Sequence, residues 1–213
     1  RITLKKHRKP RNERDLSSMH EIFEAIYHRN GWGNEESVSG PGSQLSITHQ
    51  LIPPINDLLD TFSIQTILDL PCGDFNWIRH LHLTGRVYIG ADIVSELIAR
   101  NQLLYAAENQ SFIQIDLIRD PLPAADLIVC RDCLVHFSLE AIHVALKQFK
   151  NSGARFLLTT SFPNYPGNYD IKTGQWRPVN LQKAPFNLPQ PLLVIPEFRQ
   201  PGTPDVYEKV LAL

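Results

Sequence analysis

Cysteine is scarce in this sequence. Cys72, Cys130 and Cys133 are the only three among 213 residues, and their spacing is too irregular for a disulfide framework. Three isolated thiols fit a reducing compartment, so a cytoplasmic location is expected. No run approaches the roughly 20 apolar residues of a membrane span, and no signal peptide is visible. No internal repeat and no low-complexity tract occurs. No G-x-G-x-x-G follows a candidate strand, which weighs against a dinucleotide site. No basic stripe with interleaved aromatics crosses the body, which makes nucleic acid an unexpected partner.

What is present suits one folded unit. Hydrophobic residues make up 43% of the chain, enough for a substantial α/β core. The net charge of −1 is unevenly placed. Residues 1–15 carry Arg1, Lys5, Lys6, Arg8, Lys9, Arg11 and Arg14 against Glu13 and Asp15, which leaves the remainder acidic. A basic tail over residues 1–16 is either a contact for an anionic partner or a solvated, flexible terminus, and the second is expected.

Hydrophobic periodicity divides the rest. Residues 17–62 read as N-terminal helices and a loop. One helix over Ser17–Arg29 is capped by Ser17 or Ser18 and presents Met19, Ile22, Phe23, Ile26 and Tyr27 on one face. A second runs from Ser43 towards Phe62, interrupted near Pro53-Pro54. The Gly/Ser-rich stretch Trp32–Ser43 between them is either a lid over a ligand or an ordinary connector.

Residues 63–213 alternate strands and helices. Strands are predicted at Ile67–Leu70, Val87–Asp92, Ser111–Asp116, Asp126–Cys130 and Arg155–Thr160, and helices at Ser95–Glu108 and from Ser138 to Lys150. Two closing strands, Leu192–Ile195 and Lys209–Leu213, suggest an antiparallel hairpin beside a mainly parallel sheet. Residues 162–191 are long for a passive connection. Tyr165, Tyr169, Trp176, Arg177 and Asn180 there are candidates for a substrate wall.

An open α/β sheet binds ligands at the carboxyl ends of its strands. The turn after the first strand reads Asp69-Leu70-Pro71-Cys72-Gly73-Asp74-Phe75-Asn76-Trp77. Gly73 permits close backbone approach, Asp74 can cap a following helix, and Asp69 offers a carboxylate to a cationic group. Asp92 ends the second strand 23 residues later, and an acid at about that distance suits a pair of ribose hydroxyls. Asp116 ends the third.

These residues resemble class I S-adenosylmethionine (SAM)-dependent methyltransferases over about Thr66 to Leu213. Asp69 to Gly73 looks like that family's first motif, Asp92 its ribose-binding acid, and Asp116-Leu117 its adenine-flanking segment. "DLPCGD" followed by "CRDCLVHFS" resembles a poorly characterised bacterial-type group. The resemblance implies a Rossmann-like, seven-stranded, mainly parallel sheet with a C-terminal antiparallel hairpin and helices on both faces. It implies SAM as cofactor and S-adenosylhomocysteine as product. It also implies a cofactor site over Asp69, Pro71, Cys72, Gly73, Asp74, Asn76, Trp77, Asp92, Ile93, Asp116, Leu117 and Arg131. Pro71 and Phe75 depart from the pattern, standing where glycines are common.

The loop after the fourth strand, Arg131-Asp132-Cys133-Leu134-Val135-His136, then faces the methyl group. His136 has a pKa range suited to a general base, or else satisfies a backbone group. Asp132 orients His136, binds substrate, acts as base, or caps a helix. Arg131 holds an anionic substrate or pairs with a nearby acid. Cys130, Cys133 and His136 invite a metal, but zinc draws ligands from separate segments, so none is expected. No Asn/Asp-Pro-Pro-Tyr/Phe and no Pro-Cys follows that strand, which disfavours amino and pyrimidine-carbon methylation. A small-molecule or glycan-type hydroxyl is the expected acceptor. The alternatives are a macromolecule (RNA or protein) methyltransferase and a non-catalytic binding module on the same fold.

Overall fold

The computed structural model describes residues 19–197, 202 and 204–213. The basic tail over residues 1–16 and the cap at Ser17 or Ser18 lie outside the described residues. Seven strands form one sheet: β1 (Thr66–Asp69), β2 (Val87–Asp92), β3 (Gln110–Gln114), β4 (Leu127–Cys130), β5 (Phe156–Ser161), β6 (Val194–Pro196) and β7 (Val210–Ala212), in the order β3-β2-β1-β4-β5-β7-β6. The first five run parallel, and β7 lies antiparallel between β5 and β6. This is the Rossmann-like, mainly parallel sheet with a C-terminal antiparallel hairpin expected from the sequence.

The period-2 geometry of a strand sends alternate side chains to opposite faces, and two apolar clusters result. Leu68, Ile128 and Cys130 join one cluster; Ile67, Leu127 and Val129 join the other. Helices close both faces. These are α1 (Met19–His28), α2 (Leu45–Thr48), α3 (Ile52–Thr61), α4 (Ser95–Tyr105) and α5 (Leu139–Asn151). Met19 of α1 and Ala141, Ile142, Ala145 and Phe149 of α5 bury against the first cluster, and Ile55, Leu58 and Leu59 of α3 against the second. Ser138 caps α5 by accepting from the Ala141 N–H at 3.2 Å. The Pro53-Pro54 pair does not break α3. It sits in the first turn, where the missing N–H groups have no intrahelical partner to lose.

Two expectations need correction, and both concern the strand ends that build the site. No α-helix follows β1: only a single 3-10 turn, Ile78–His80, stands before β2. Asp74 therefore caps no helix. β3 ends at Gln114, so Asp116 sits in the turn beyond it rather than at the strand end. There its carboxylate accepts from the Ile118 N–H at 3.1 Å.

Candidate active site

The turn after β1 is a tight, buried structure. The Leu70–Pro71 peptide is cis, and Cys72 donates its N–H to the Ala91 carbonyl of β2. Phe75 takes φ 59°, a conformation favouring glycine. Its ring meets Tyr88, Tyr105 and Phe112 at 5.0–5.3 Å, and that burial offsets the strain. A phenylalanine thus fills a glycine-like backbone position. Gly73, at φ 54°, is required for another reason: a Cβ there would collide with Ser39 Oγ of the Trp32–Ser43 segment.

Asp74 and Asn76 clasp that segment. Asp74 accepts from Ser37 Oγ (2.9 Å), the Val38 N–H (3.0 Å) and Ser39 Oγ (3.3 Å). Asn76 donates to Glu36 Oε1 (2.8 Å) and the Ser43 carbonyl (3.0 Å).

Asp69 and Asp92 end adjacent strands, and both are buried. Burial pushes the Asp69 carboxyl up to about 7, against the Tyr88 hydroxyl that donates to it at 2.6 Å; Asp92 adds to the rise and Arg131 opposes it. Burial also raises Asp92 to about 6, against the Val94 and Gly73 N–H groups that donate to it at 3.1 Å. Two desolvated carboxylates side by side favour a cation or hydrogen-bond donors between them.

A cavity of about 940 Å³ runs along the carboxyl ends of the strands, in the size range of small-molecule sites. It brings together Asp69, Pro71, Cys72, Gly73, Asp74, Trp77, Asp92, Ile93, Leu117, Arg131, Asp132 and His136. Asn76 and Asp116 are not on its wall.

The far end is built by the loop after β4. His136 Nδ1 donates to the Gln175 carbonyl at 3.0 Å, which leaves Nε2 as the proton-accepting atom. Burial lowers the imidazole pKa, with the Gln175 contact opposing, which favours the neutral ring. Burial would raise the Asp132 carboxyl, but Lys209 Nζ (2.8 Å) and Arg131 Nη1 (3.3 Å) hold it well below the usual range. So held, it is a poor proton acceptor. Arg131 also grips Glu197 Oε2 (2.6 Å) and the Gly42 carbonyl (2.9 Å), and lies over the Trp77 ring at 5.5 Å. Among the described residues no group of three or more His, Cys, Asp or Glu could hold a metal, and no helix is long and apolar enough to cross a membrane.

A sequence model for a methyltransferase domain matches residues 43–187, which contain the turn, Asp92, the β4 loop and most of the sheet. The chain belongs to this methyltransferase domain family. Solved structures agree on the fold. Magnesium protoporphyrin IX methyltransferase from Synechocystis PCC 6803, with bound SAM, superposes with a TM-score of 0.59 at 15% identity, over 93% of this chain and 97% of its own. The same enzyme with S-adenosylhomocysteine gives 0.58 at 14%, over 92% and 97%. Burkholderia thailandensis 1,6-didemethyltoxoflavin-N1-methyltransferase, with its acceptor and S-adenosylhomocysteine, gives 0.58 at 13%, over 97% and 90%. No curated protein sequence matches the chain.

Three parts of the candidate site escape a sequence reading. Glu197 and Lys209 join the β4 loop to the C-terminal hairpin: Lys209 Nζ lies 2.9 Å from Glu197 Oε2, and only the pairing of β7 with β5 and β6 brings them there. Asn101 of α4 donates to the Gly73 carbonyl at 2.7 Å and braces the turn from outside the motif. Arg177, a candidate for the substrate wall, is fully buried instead. Its guanidinium donates to the carbonyls of Tyr169, Leu134, Val135 and Phe137 and moulds the β4 loop. Asn180 likewise ties the carbonyls of Pro163 and Tyr165. Of the five wall candidates, Trp176 alone lines the cavity.

Proposed function

We propose that this methyltransferase takes its methyl group from SAM and passes it to an oxygen of a small molecule. One observation carries the reading: a single cavity joins the acidic Asp69–Asp92 end to His136, whose Nδ1 is committed to the Gln175 carbonyl and whose Nε2 is left to accept a proton. The residues at the first end suit the cofactor. Asp92 would take the ribose hydroxyls and Asp69 the cationic group. Ile93, Leu97, Ile115 and Leu117 give an apolar slot for adenine. Leu117 rather than the Asp116 side chain then flanks the base.

SAM, with Asp92 at its ribose and Asp69 at its cationic group, would supply an electrophilic methyl group to the acceptor oxygen and leave as S-adenosylhomocysteine. The chain's own work is to align the acceptor and receive its proton. His136 Nε2 is the base, and Asp132, fixed by two cations, positions the loop. The described part of residues 17–62 acts as the cover, with Trp32–Ser43 as a lid clasped by Asp74 and Asn76, and residues 63–213 as the catalytic core. A cavity walled by α1 and this lid suits a small acceptor better than RNA or a protein.

Calorimetric titration with S-adenosylhomocysteine tests the cofactor end. Micromolar binding to the wild type, lost in Asp92→Ala, is expected. A folded wild type that binds none would leave the fold as a binding module of another kind.

A further inference from the structure

The acceptor end of the cavity is lined by rings. Trp32 lies 5.6 Å from His136 and 6.4 Å from Phe23, measured between centroids, and Phe162 meets Trp176 edge-on at 6.0 Å. All of these line the cavity. Phe162 is buried, whereas Trp176 is 52% exposed. A tryptophan half open to water, braced on a buried phenylalanine at the wall of a cavity, is apolar surface that a ligand can cover.

The charges at this end leave nothing over for an anion. Arg131 and Lys209 face Asp132 and Glu197, and the contacts close the group: Arg131–Glu197 at 2.6 Å, Lys209–Asp132 at 2.8 Å, Lys209–Glu197 at 2.9 Å and Arg131–Asp132 at 3.3 Å. Two cations and two anions sum to zero. A carboxylate or phosphate acceptor would have to displace one partner of a largely buried network, which is costly. A sugar has a hydroxyl on nearly every carbon, and each would need a partner once desolvated. The ring-lined wall supplies few. A flat ring with one hydroxyl asks for stacking surface and a single proton acceptor, and the wall holds both.

We infer that the acceptor is a planar aromatic alcohol, held through its ring by the Trp32–His136 and Phe162–Trp176 pairs with its hydroxyl towards His136 Nε2. The assignment narrows the acceptor within the function proposed above, and rests on that reading for the place of the cofactor. Of the small-molecule or glycan-type hydroxyl expected from sequence, it keeps the first and departs from the second.

The test is calorimetric titration of the full chain, saturated with S-adenosylhomocysteine, by 2-naphthol, methyl α-glucoside and benzoate in turn. Binding of S-adenosylhomocysteine alone is measured on the same samples. Naphthol is expected to bind and the other two not. Trp176→Ala is expected to weaken naphthol roughly tenfold, Trp176→Phe much less, and neither to move S-adenosylhomocysteine affinity. Trp176 is half exposed, so neither variant should unfold the chain. Glucoside or benzoate binding in preference to naphthol overturns the inference, as does naphthol binding indifferent to Trp176. Failure of S-adenosylhomocysteine to bind, with Trp176-dependent naphthol binding intact, sinks the cofactor reading and leaves the aromatic site standing.

Discussion

The two ends of the cavity are made on different principles. At the β1–β2–β3 end the ligand-facing groups are local: a six-residue turn and the acid that closes the next strand. At the β4–β5–β7 end they are assembled from distant segments. Gln175 orients His136, Arg177 moulds the loop, and Glu197 with Lys209 fixes Asp132. The first end carries buried carboxylates with raised pKa values, poised for a cation. The second carries a charge-balanced network and rings. Binding one constant cofactor calls for the first design, and a scaffold open to different acceptors calls for the second.

The comparison breaks most readily at His136. His136→Ala is expected to reduce turnover by about a hundredfold to ten-thousandfold, the usual span of a general base, with S-adenosylhomocysteine affinity unchanged. In the wild type, the rate should rise with pH through a value below the ordinary histidine pKa, because burial favours the neutral ring. Steady-state kinetics on a competent acceptor decides it. Turnover that survives the substitution would remove the base from this end.

Asp92→Ala is the reciprocal cut. It removes two charge-assisted acceptors from the cofactor end, so S-adenosylhomocysteine should bind on the order of a hundredfold more weakly. It also frees the Gly73 and Val94 N–H groups, so melting temperature must be followed beside calorimetry. Unchanged affinity in a folded variant would defeat the assignment.

The same contrast explains what the sequence made legible. Strand alternation, the Asp69–Asp74 turn and Asp92 are local signals, and each stands where periodicity and spacing put it. Asp116 was misplaced by one short step, because β3 stops at Gln114 and the acid turns to cap its own loop. The missing helix after β1 has a physical cause too. Phe75 is drawn into an aromatic cluster at positive φ, which ends any helix there. Glu197, Lys209 and Arg177 were beyond reach. Their partners in the β4 loop lie 40 residues or more away in sequence and are met only through the sheet order and the docking of residues 162–191.

A smaller effect separates the two ends by pH. Asp69 at about 7 and Asp92 at about 6 lie above the ordinary carboxylate value of 3.8. The folded, unliganded chain therefore keeps protons that the unfolded chain releases from about pH 4 upward. Stability from these two groups is greatest below pH 4 and is lost as pH rises to about 7. A ligand that needs the ionised carboxylates behaves oppositely. S-adenosylhomocysteine affinity should climb by up to about a hundredfold per pH unit below pH 6, where both protons must leave, by up to about tenfold between 6 and 7, and level off above 7. Calorimetry from pH 5 to 8 reads the slope, and a flat profile would mean that neither carboxylate meets the ligand.

The mildest cut falls on the network itself. Lys209→Met keeps the length of the side chain and removes its charge. Asp132 and Glu197 both retain Arg131, so neither anion is stranded, and the loss should be nearer 1–2 kcal/mol than the roughly 3–5 of a fully broken buried pair. For a chain of this size that is a fall of several degrees in melting temperature. Cofactor affinity should not move, because Lys209 touches none of the β1–β2 turn. Naphthol affinity should not fall either, because on this account Lys209 holds Asp132 and not the acceptor. An anion-binding Lys209 predicts the reverse: little change in melting and a sharp loss of acceptor affinity. The two readouts together therefore decide whether this end recognises its ligand by charge or by its rings.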